Sequence, residues 1–427
     1  PAGAGGKQVD FVASGTIGDG VTVALKTDGT VSAISSTTIT ENLGSSGTFD
    51  TNSVYNIASV YDSVTNKIIV AYRDAGSSFY GKIVVGTISS TTISFGSSVS
   101  LAGAEETNPI SLAYDANAQK VLACYKASSN NYGYAVVCTV SGNSITVATP
   151  TVFHSGSISQ GLSAQYSPVD QKTVIAYYGN SGLGTAVVAS ISGNTVSFGS
   201  ASQFSSAAIE KVSACYDSTI QKVILAYSYD PSAPKGASIV CTVSGTSISF
   251  GSEAVFNTSG INVSSLISNV YDSGSNKSII FYVGASNYPR YVVAEVSGTS
   301  ITYGAETIIR SSSTLENAAS YNSAANKTVY VWRDPANSNY GKVQVGTLSG
   351  TTLSFTTALT YNAGTTSYPN AVYDSAAEKT AIIYADDSNS DGVAKVYTTG
   401  YVETNFADFI GISDAAISDT ASGSVTI

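Results

Sequence analysis

The chain is written in short alternating or β-branched runs, each cut by Gly, Ser, Asn or Asp. Ile57-Ala58-Ser59-Val60-Tyr61 is one such run and ends at Asp62. After a turn comes Lys67-Ile68-Ile69-Val70-Ala71-Tyr72, and after a polar loop Lys82-Ile83-Val84-Val85-Gly86-Thr87. A tight Ser89-Ser90-Thr91 turn then leads to Thr92-Ile93-Ser94-Phe95-Gly96; later copies place Ser141-Gly142 and Ser244-Gly245 in that turn. Runs of this composition between turn residues predict strands. No segment holds a 3.6-residue apolar period for long, which excludes a helical solenoid.

The four-run pattern recurs. Lys67, Lys120, Lys172, Lys222, Lys277, Lys327 and Lys379 each stand six residues after a Tyr, namely Tyr61, Tyr114, Tyr166, Tyr216, Tyr271, Tyr321 and Tyr373. The lysines are 50 to 55 residues apart. Four-stranded units at that period are propeller blades. The expectation is therefore an all-β fold, a seven-bladed β-propeller of four-stranded blades. Copy seven, from Ala371 to Thr399, has three strands and no fourth. Ser35-Ser36-Thr37-Thr38-Ile39-Thr40 aligns with Ser89 to Ser94 and is predicted to close that blade, removing exposed edges. This divides the chain into an N-terminal β segment (1–34), the propeller (35–400) and a C-terminal β segment (401–427). The end segments share a Phe…Ile-x-Asp…Val-Thr-Val/Ile pattern and are predicted to pair beside the ring. The chain opens Pro1-Ala2-Gly3, lacks Met and stops at Ile427 in mid-strand, so the natural protein is expected to extend further.

In such a blade the turns alternate between two faces. One face is monotonous, with Asp62 to Lys67, Asp115 to Lys120, Asp272 to Lys277 and their kin. The Asp is expected to bind nearby backbone N–H groups, and the Lys to pair with it across the hairpin. Ser167 and Asn322 replace the Asp in copies three and six while the Lys stays, so packing of the Lys stem is a second expected role. The opposite face varies. Its loops carry Arg73, Asp74, Tyr80, Asn131, Tyr132, Tyr229, Asp230, Tyr288, Arg290, Arg333, Asp334 and Tyr340. Rigid amphipathic rings with hydrogen-bonding neighbours suit recognition of sugars or protein surfaces, and they equally suit solvated loops covering blade edges.

Composition narrows the function. A net charge of -10 with 11% charged residues argues against a nucleic-acid partner, which needs a basic stripe. No apolar run reaches the length of a membrane span. Cys138 and Cys241 share a repeat position with Gly86, Ala189, Ala294 and Gly346, which reads as a small buried site; a Cys124–Cys138 bridge is the alternative.

Catalytic chemistry is sparse. His154 is the lone histidine, and no phosphate loop is present. Carboxylates such as Asp74, Asp230 and Asp334 sit in different copies, so a glycosidase pair is not evident. Asp387-Ser388-Asn389-Ser390-Asp391-Gly392 matches the first half of a calcium loop, but Thr398 stands where the closing acid belongs. Calcium at Asp387, Asn389 and Asp391 is thus a weak candidate, and otherwise no cofactor is expected.

The wording Tyr-Asp-Ser-x-x-x-Lys, Tyr-Gly-x-x-Val-Val-Gly-Thr and Ser-Gly-Thr-Ser-Ile-Ser-Phe-Gly-Ser, best seen in 61–97, 132–153 and 216–252, resembles repeats in tail-fibre-like and other virion proteins of marine tailed phages, including those of cyanobacteria. Phe409-Ile410-Gly411-Ile412 and the Ala416 to Thr426 stretch resemble a segment that follows such repeats. The resemblance implies a non-enzymatic structural protein on a virion, extracellular, as a tail or capsid fibre or decoration. Its implied partners are other virion proteins and a host-surface glycan or protein. A secreted bacterial adhesin or lectin is the alternative, and a carbohydrate-active enzyme a third reading.

Overall fold

A computed structural model describes residues 8–26, 28–159, 161–230, 232, 234–262, 265–405, 409–413 and 421–426. The chain forms two compact units, 42–399 and the paired ends 1–41 with 400–427.

The larger unit is a β-propeller of antiparallel sheets. In copy one the first strand, Val54–Asp62, pairs with the second, Lys67–Asp74, which pairs with the third, Tyr80–Ser89. The fourth position is held by two short strands, Thr92–Phe95 and Val99–Ser100, both on the third. The turns are set by residues that tolerate a left-handed backbone. Each residue before the anchoring Lys has positive φ (Asn66, Gln119, Gln171, Gln221, Asn276, Asn326, Glu378), and so does the hairpin Gly142, Gly193, Gly245, Gly298 or Gly350.

The expectation of seven separate blades of four strands is overturned by the pairing. Among the described residues the propeller strands assort into four sheets of five strands, one of nine and one of four, and the terminal strands into one of five and one of two. In copies one, three and four the outer edge breaks at a Phe-Gly pair before the next strand on that edge. A Cβ on Gly96 would lie 1.9 Å from the Asn143 carbonyl oxygen of the next copy's hairpin, and Gly199 is 1.8 Å from that of Thr246. The outer strand must turn there to let the neighbouring hairpin in. The nine-stranded sheet arises from Ser202–Asp217, which begins on the third strand of copy three and ends as the first strand of copy four.

The closing strand also needs correction. Asn42–Asp50, not 35–40, pairs with Asp391–Thr398 of copy seven. Its Phe49 lies over Gly392 and edge-on to Tyr72 and Phe95. Phe153 over Gly133, Phe204 over Gly184 and Phe256 over Gly236 repeat that contact in other copies. Ser35–Ile39 instead pairs with Tyr401–Asn405 in the terminal unit. There, Gln8–Val12 and Ser422–Thr426 pair around a small core of Ala13, Ile17, Val23, Val31 and Val425. Residues 414–420 of the expected C-terminal segment lie outside the described residues.

The ring closes through its first strands, which pack side by side in chain order until Thr366–Asp374 of copy seven returns beside Val54–Asp62. Serines stitch this inner wall. Ser111, Ser163, Ser213 and Ser268 each accept the backbone N–H of Ala164, Ala214, Asn269 and Ala319 on the following copy, at 2.9–3.0 Å. At the seam Ser59 donates to Asn370 Oδ1 at 2.6 Å. Small residues at the position of Gly86 and Cys138 are explained by the Phe95 ring, 2.8 Å from a Cβ at Gly86. All four cysteines are free and buried. Among the described residues no helix is long and apolar enough to cross a membrane.

Candidate functional site

The monotonous face is bound to itself. Asp62 Oδ1 accepts the N–H groups of Val64 and Thr65, and Asp115, Asp217 and Asp374 do the same two and three residues on. A tyrosine from the next copy joins four of the turns: the N–H groups of Asn117, Gly274, Ala324 and Ala376 donate to the hydroxyls of Tyr166, Tyr321, Tyr373 and Tyr61. The expected Asp–Lys pair does not form. Lys67, Lys120 and Lys222 turn away to Thr87, Thr139 and Thr242 of their third strands, at 2.7, 2.8 and 3.0 Å. Lys277 takes Glu295 and the Gly350 carbonyl. The carboxylates are already filled by backbone donors, so the amines turn to acceptors across the sheet, a threonine hydroxyl in three copies.

A cavity of about 630 Å³ runs through the ring, lined by the first strands of every copy. Its wall differs with depth. The end near the Asp turns and the middle repeat from copy to copy. The end on the variable face does not. Five residues before the invariant Tyr stand Asn56, Pro109, Gly161, Lys211, Leu266, Glu316 and Tyr368. All but Gly161 line the cavity.

Copies six, seven and one, neighbours across the seam, carry the polar and aromatic share of this mouth. Glu316 Oε2 accepts the Tyr368 N–H at 2.7 Å, while Oε1 has no hydrogen-bond partner among the described residues. Burial pushes the Glu316 carboxyl above its usual range, opposed by that N–H and by Arg333. The Tyr368 ring meets Tyr55 edge-on at 5.8 Å, and Tyr55 meets Phe79 at 5.6 Å. Tyr368 and Asn56 both hold a left-handed backbone, φ 51 and 50. For an aromatic side chain this is a cost that persists where the surroundings enforce it. Arg73 sits over Phe79, pairs with Glu106 and donates to Asn56 Oδ1. The fully buried Asn317 keeps Oδ1 without a partner among the described residues, as Arg73 keeps Nε. On the far side Lys211 is buried, which lowers its amine from the usual lysine range against the pull of Glu210.

Of the loop residues expected to bind, Arg73 reaches this mouth. Arg333 lies beside it, donating to Asn339 and Ser367. The others are engaged within their own loops. Asp74 caps the Gly76 N–H and Ser77, and its strand partner is Tyr80. Asp230 bonds Ser232 and stands 3.8 Å from Lys235, whose amine overlies Tyr229. Arg290 pairs with Glu306 and Asp334 with Arg310. Lys342 overlies Tyr340. Asn131 turns left-handed to bond Ala127, the Tyr132 N–H donates to Asn130, and the Tyr288 carbonyl accepts from Gly284.

The calcium candidate is not gathered. Asp387 accepts Ser367, Asn389 donates to Asp386, and Asp391 is the strand partner of Asp386. Asp386 has taken the turn-capping role, so the acids point into the loop rather than at one another. Among the described residues no group of three or more His, Cys, Asp or Glu is placed to hold a metal ion. His154 bonds the Asn180 amide and overlies Tyr177, and burial lowers its imidazole from the usual range.

No family model matches this chain, and no curated protein matches it. Among solved structures, the crystal structure of AofleA from Arthrobotrys oligospora is similar at 8% identity and a TM-score of 0.47, covering 80% of this chain and 94% of that one. A likeness that distant carries no ligand or activity to this chain.

Proposed function

We propose that this propeller is a non-enzymatic recognition protein of the lectin or adhesin kind, and that it binds at the channel mouth on its variable face. One observation carries the reading. Seven copies keep the same Tyr and the same Lys, yet each has a different residue five positions before the Tyr, where all but the third copy line the cavity. A scaffold that repeats its structural contacts and diversifies one ring of side chains has the form of a recognition surface. The chemistry of the reactive groups supports the same reading. Burial pushes the Cys138 and Cys215 thiols up to about 12, away from nucleophile territory, and His154 is tied to an amide rather than a carboxylate.

The test is a glycan and cell-surface binding screen with the whole chain. Selective retention without cleavage is expected, and hydrolysis of a retained glycan that is lost on removing the mouth carboxylate would favour an enzyme. The resemblance of the repeats to phage virion proteins supports a second element, that the protein performs this binding outside the cell on a particle, in contact with other virion proteins. Mass spectrometry of purified particles tests that setting independently of the ligand.

A further inference from the structure

The mouth has a definite chemistry, and it favours one kind of ligand. Arg73 is paired with Glu106, while Arg333 only partly offsets the burial of the Glu316 carboxyl, and Glu210 that of the Lys211 amine. Nothing there demands an ion. Apart from the Arg73 Nε–H donor, what remains unsatisfied accepts hydrogen bonds. Among the described residues neither Glu316 Oε1 nor the fully buried Asn317 Oδ1 has a hydrogen-bond donor. A carboxylate is acceptor-only and takes several donors at once. Beside it stands the ring of Tyr368, met edge-on by Tyr55, which offers apolar area at little entropic cost. A ligand that presents adjacent hydroxyl donors on one edge and C–H groups on one face satisfies both. That is a pyranose ring, and a cavity of about 630 Å³ admits one.

We propose that the protein binds one neutral pyranose per chain at the channel mouth, with Glu316 accepting from adjacent hydroxyls and the Tyr368–Tyr55 pair carrying its C–H face. The inference rests on the recognition reading above and deepens it. The site is single because the rim is asymmetric. Pro109, Gly161 and Leu266 occupy the equivalent positions in three other copies and offer no hydroxyl acceptor from a side chain. The left-handed Tyr368 belongs to the same device: its N–H fixes one carboxylate oxygen of Glu316 and leaves the other for ligand.

The experiment titrates the whole chain with the methyl glycosides of glucose, galactose, mannose and fucose. It follows heat and the emission of Trp332, the one tryptophan, whose strand partner is Asn317. At least one glycoside is expected to bind at one per chain. Glu316→Gln and Tyr368→Gly are each expected to weaken it tenfold or more. Glycine suits the φ of 51 at position 368, so Tyr368→Gly should fold at least as well as the parent while losing the ring. Thr219→Ala, on the opposite face, should bind as the parent does. Several sites per chain, parental affinity in both mouth variants, or binding confined to charged sugars overturns the inference and leaves the recognition reading standing. Silence from every glycoside, with no retention in the wider screen, overturns both.

Discussion

The two ends of the ring's first strands obey different rules. At one end an Asp takes its own backbone N–H groups in most copies, and in several a neighbour's Tyr tops the turn or the Lys reaches a Thr. At the other end, five residues earlier, no two copies agree. The same strands thus serve two ends. The repeated end supplies bonds that any ring of this kind must make between copies. The varied end carries side chains whose replacement costs the ring little, and it is there that Glu316 and Tyr368 leave acceptors and rings uncommitted. Stability should therefore follow the repeated contacts, and binding the varied ones.

The strongest test strikes the seam. Phe49 is buried, edge-on to Tyr72 and Phe95, and is the side chain by which Asn42–Asp50 fills copy seven. Phe49→Ala should cost about 3–5 kcal/mol in denaturant unfolding, as large aromatic deletions in cores do. A parental midpoint would mean that the ring is not held shut by this strand. The next test sets the two ends against each other. Asp217→Ala leaves the N–H groups of Thr219 and Ile220 without their acceptor and should cost about 1–3 kcal/mol. Leu266→Ala, at the exposed rim, should change stability by less than about 0.5 kcal/mol. Equal losses would erase the distinction between the ends. Smaller still, Tyr61→Phe removes the hydroxyl that accepts from Ala376 and donates to Asn66 where copy one meets copy seven. A loss of about 1 kcal/mol is expected by chemical denaturation.

Much of the scaffold was legible because it repeats. The period of the Tyr and Lys positions located the first and second strands of every copy, and the Asp turns bind backbone as their side-chain chemistry implies. The misreadings came where local likeness competed with packing. Ser35 to Thr40 resembles the Ser89 hairpin in wording, but the closing strand had to bring an aromatic over Gly392, and only Gly47-Thr48-Phe49-Asp50 matches Thr151-Val152-Phe153-His154 in that respect. That register was present in the sequence. The Asp–Lys pair failed because charge complementarity was weighed without counting backbone donors. The variable-face loops drew attention through their Tyr, Asn and Arg content; of these residues Arg73 lines the mouth, while Arg290 and Asp334 take ion-pair partners. The mouth was hidden because its residues share no chemistry. Only aligning copies on the invariant Tyr, and looking for the column that never repeats, reveals it.

Glu316 offers the finest test of the contrast, because it is a group the ring would fold better without. Its carboxyl titrates above the usual range, chiefly through burial. A raised folded-state value means the native state holds its proton more tightly than the unfolded chain. The charged form therefore weighs against folding above that raised value, and the cost fades as pH falls through it toward the ordinary carboxylate range. Glu316→Gln removes the titration and keeps an oxygen for the Tyr368 N–H. The variant should melt slightly higher than the parent near pH 8, and the gap should close as the pH is lowered toward 4, when every other acid titrates alike in both proteins. Ligand binding should run the opposite way, strongest in the parent at neutral pH and weakening in acid as the second oxygen takes a proton. A variant less stable than the parent at pH 8 would make Glu316 part of the scaffold, and the varied end would then be doing the work assigned to the repeated one.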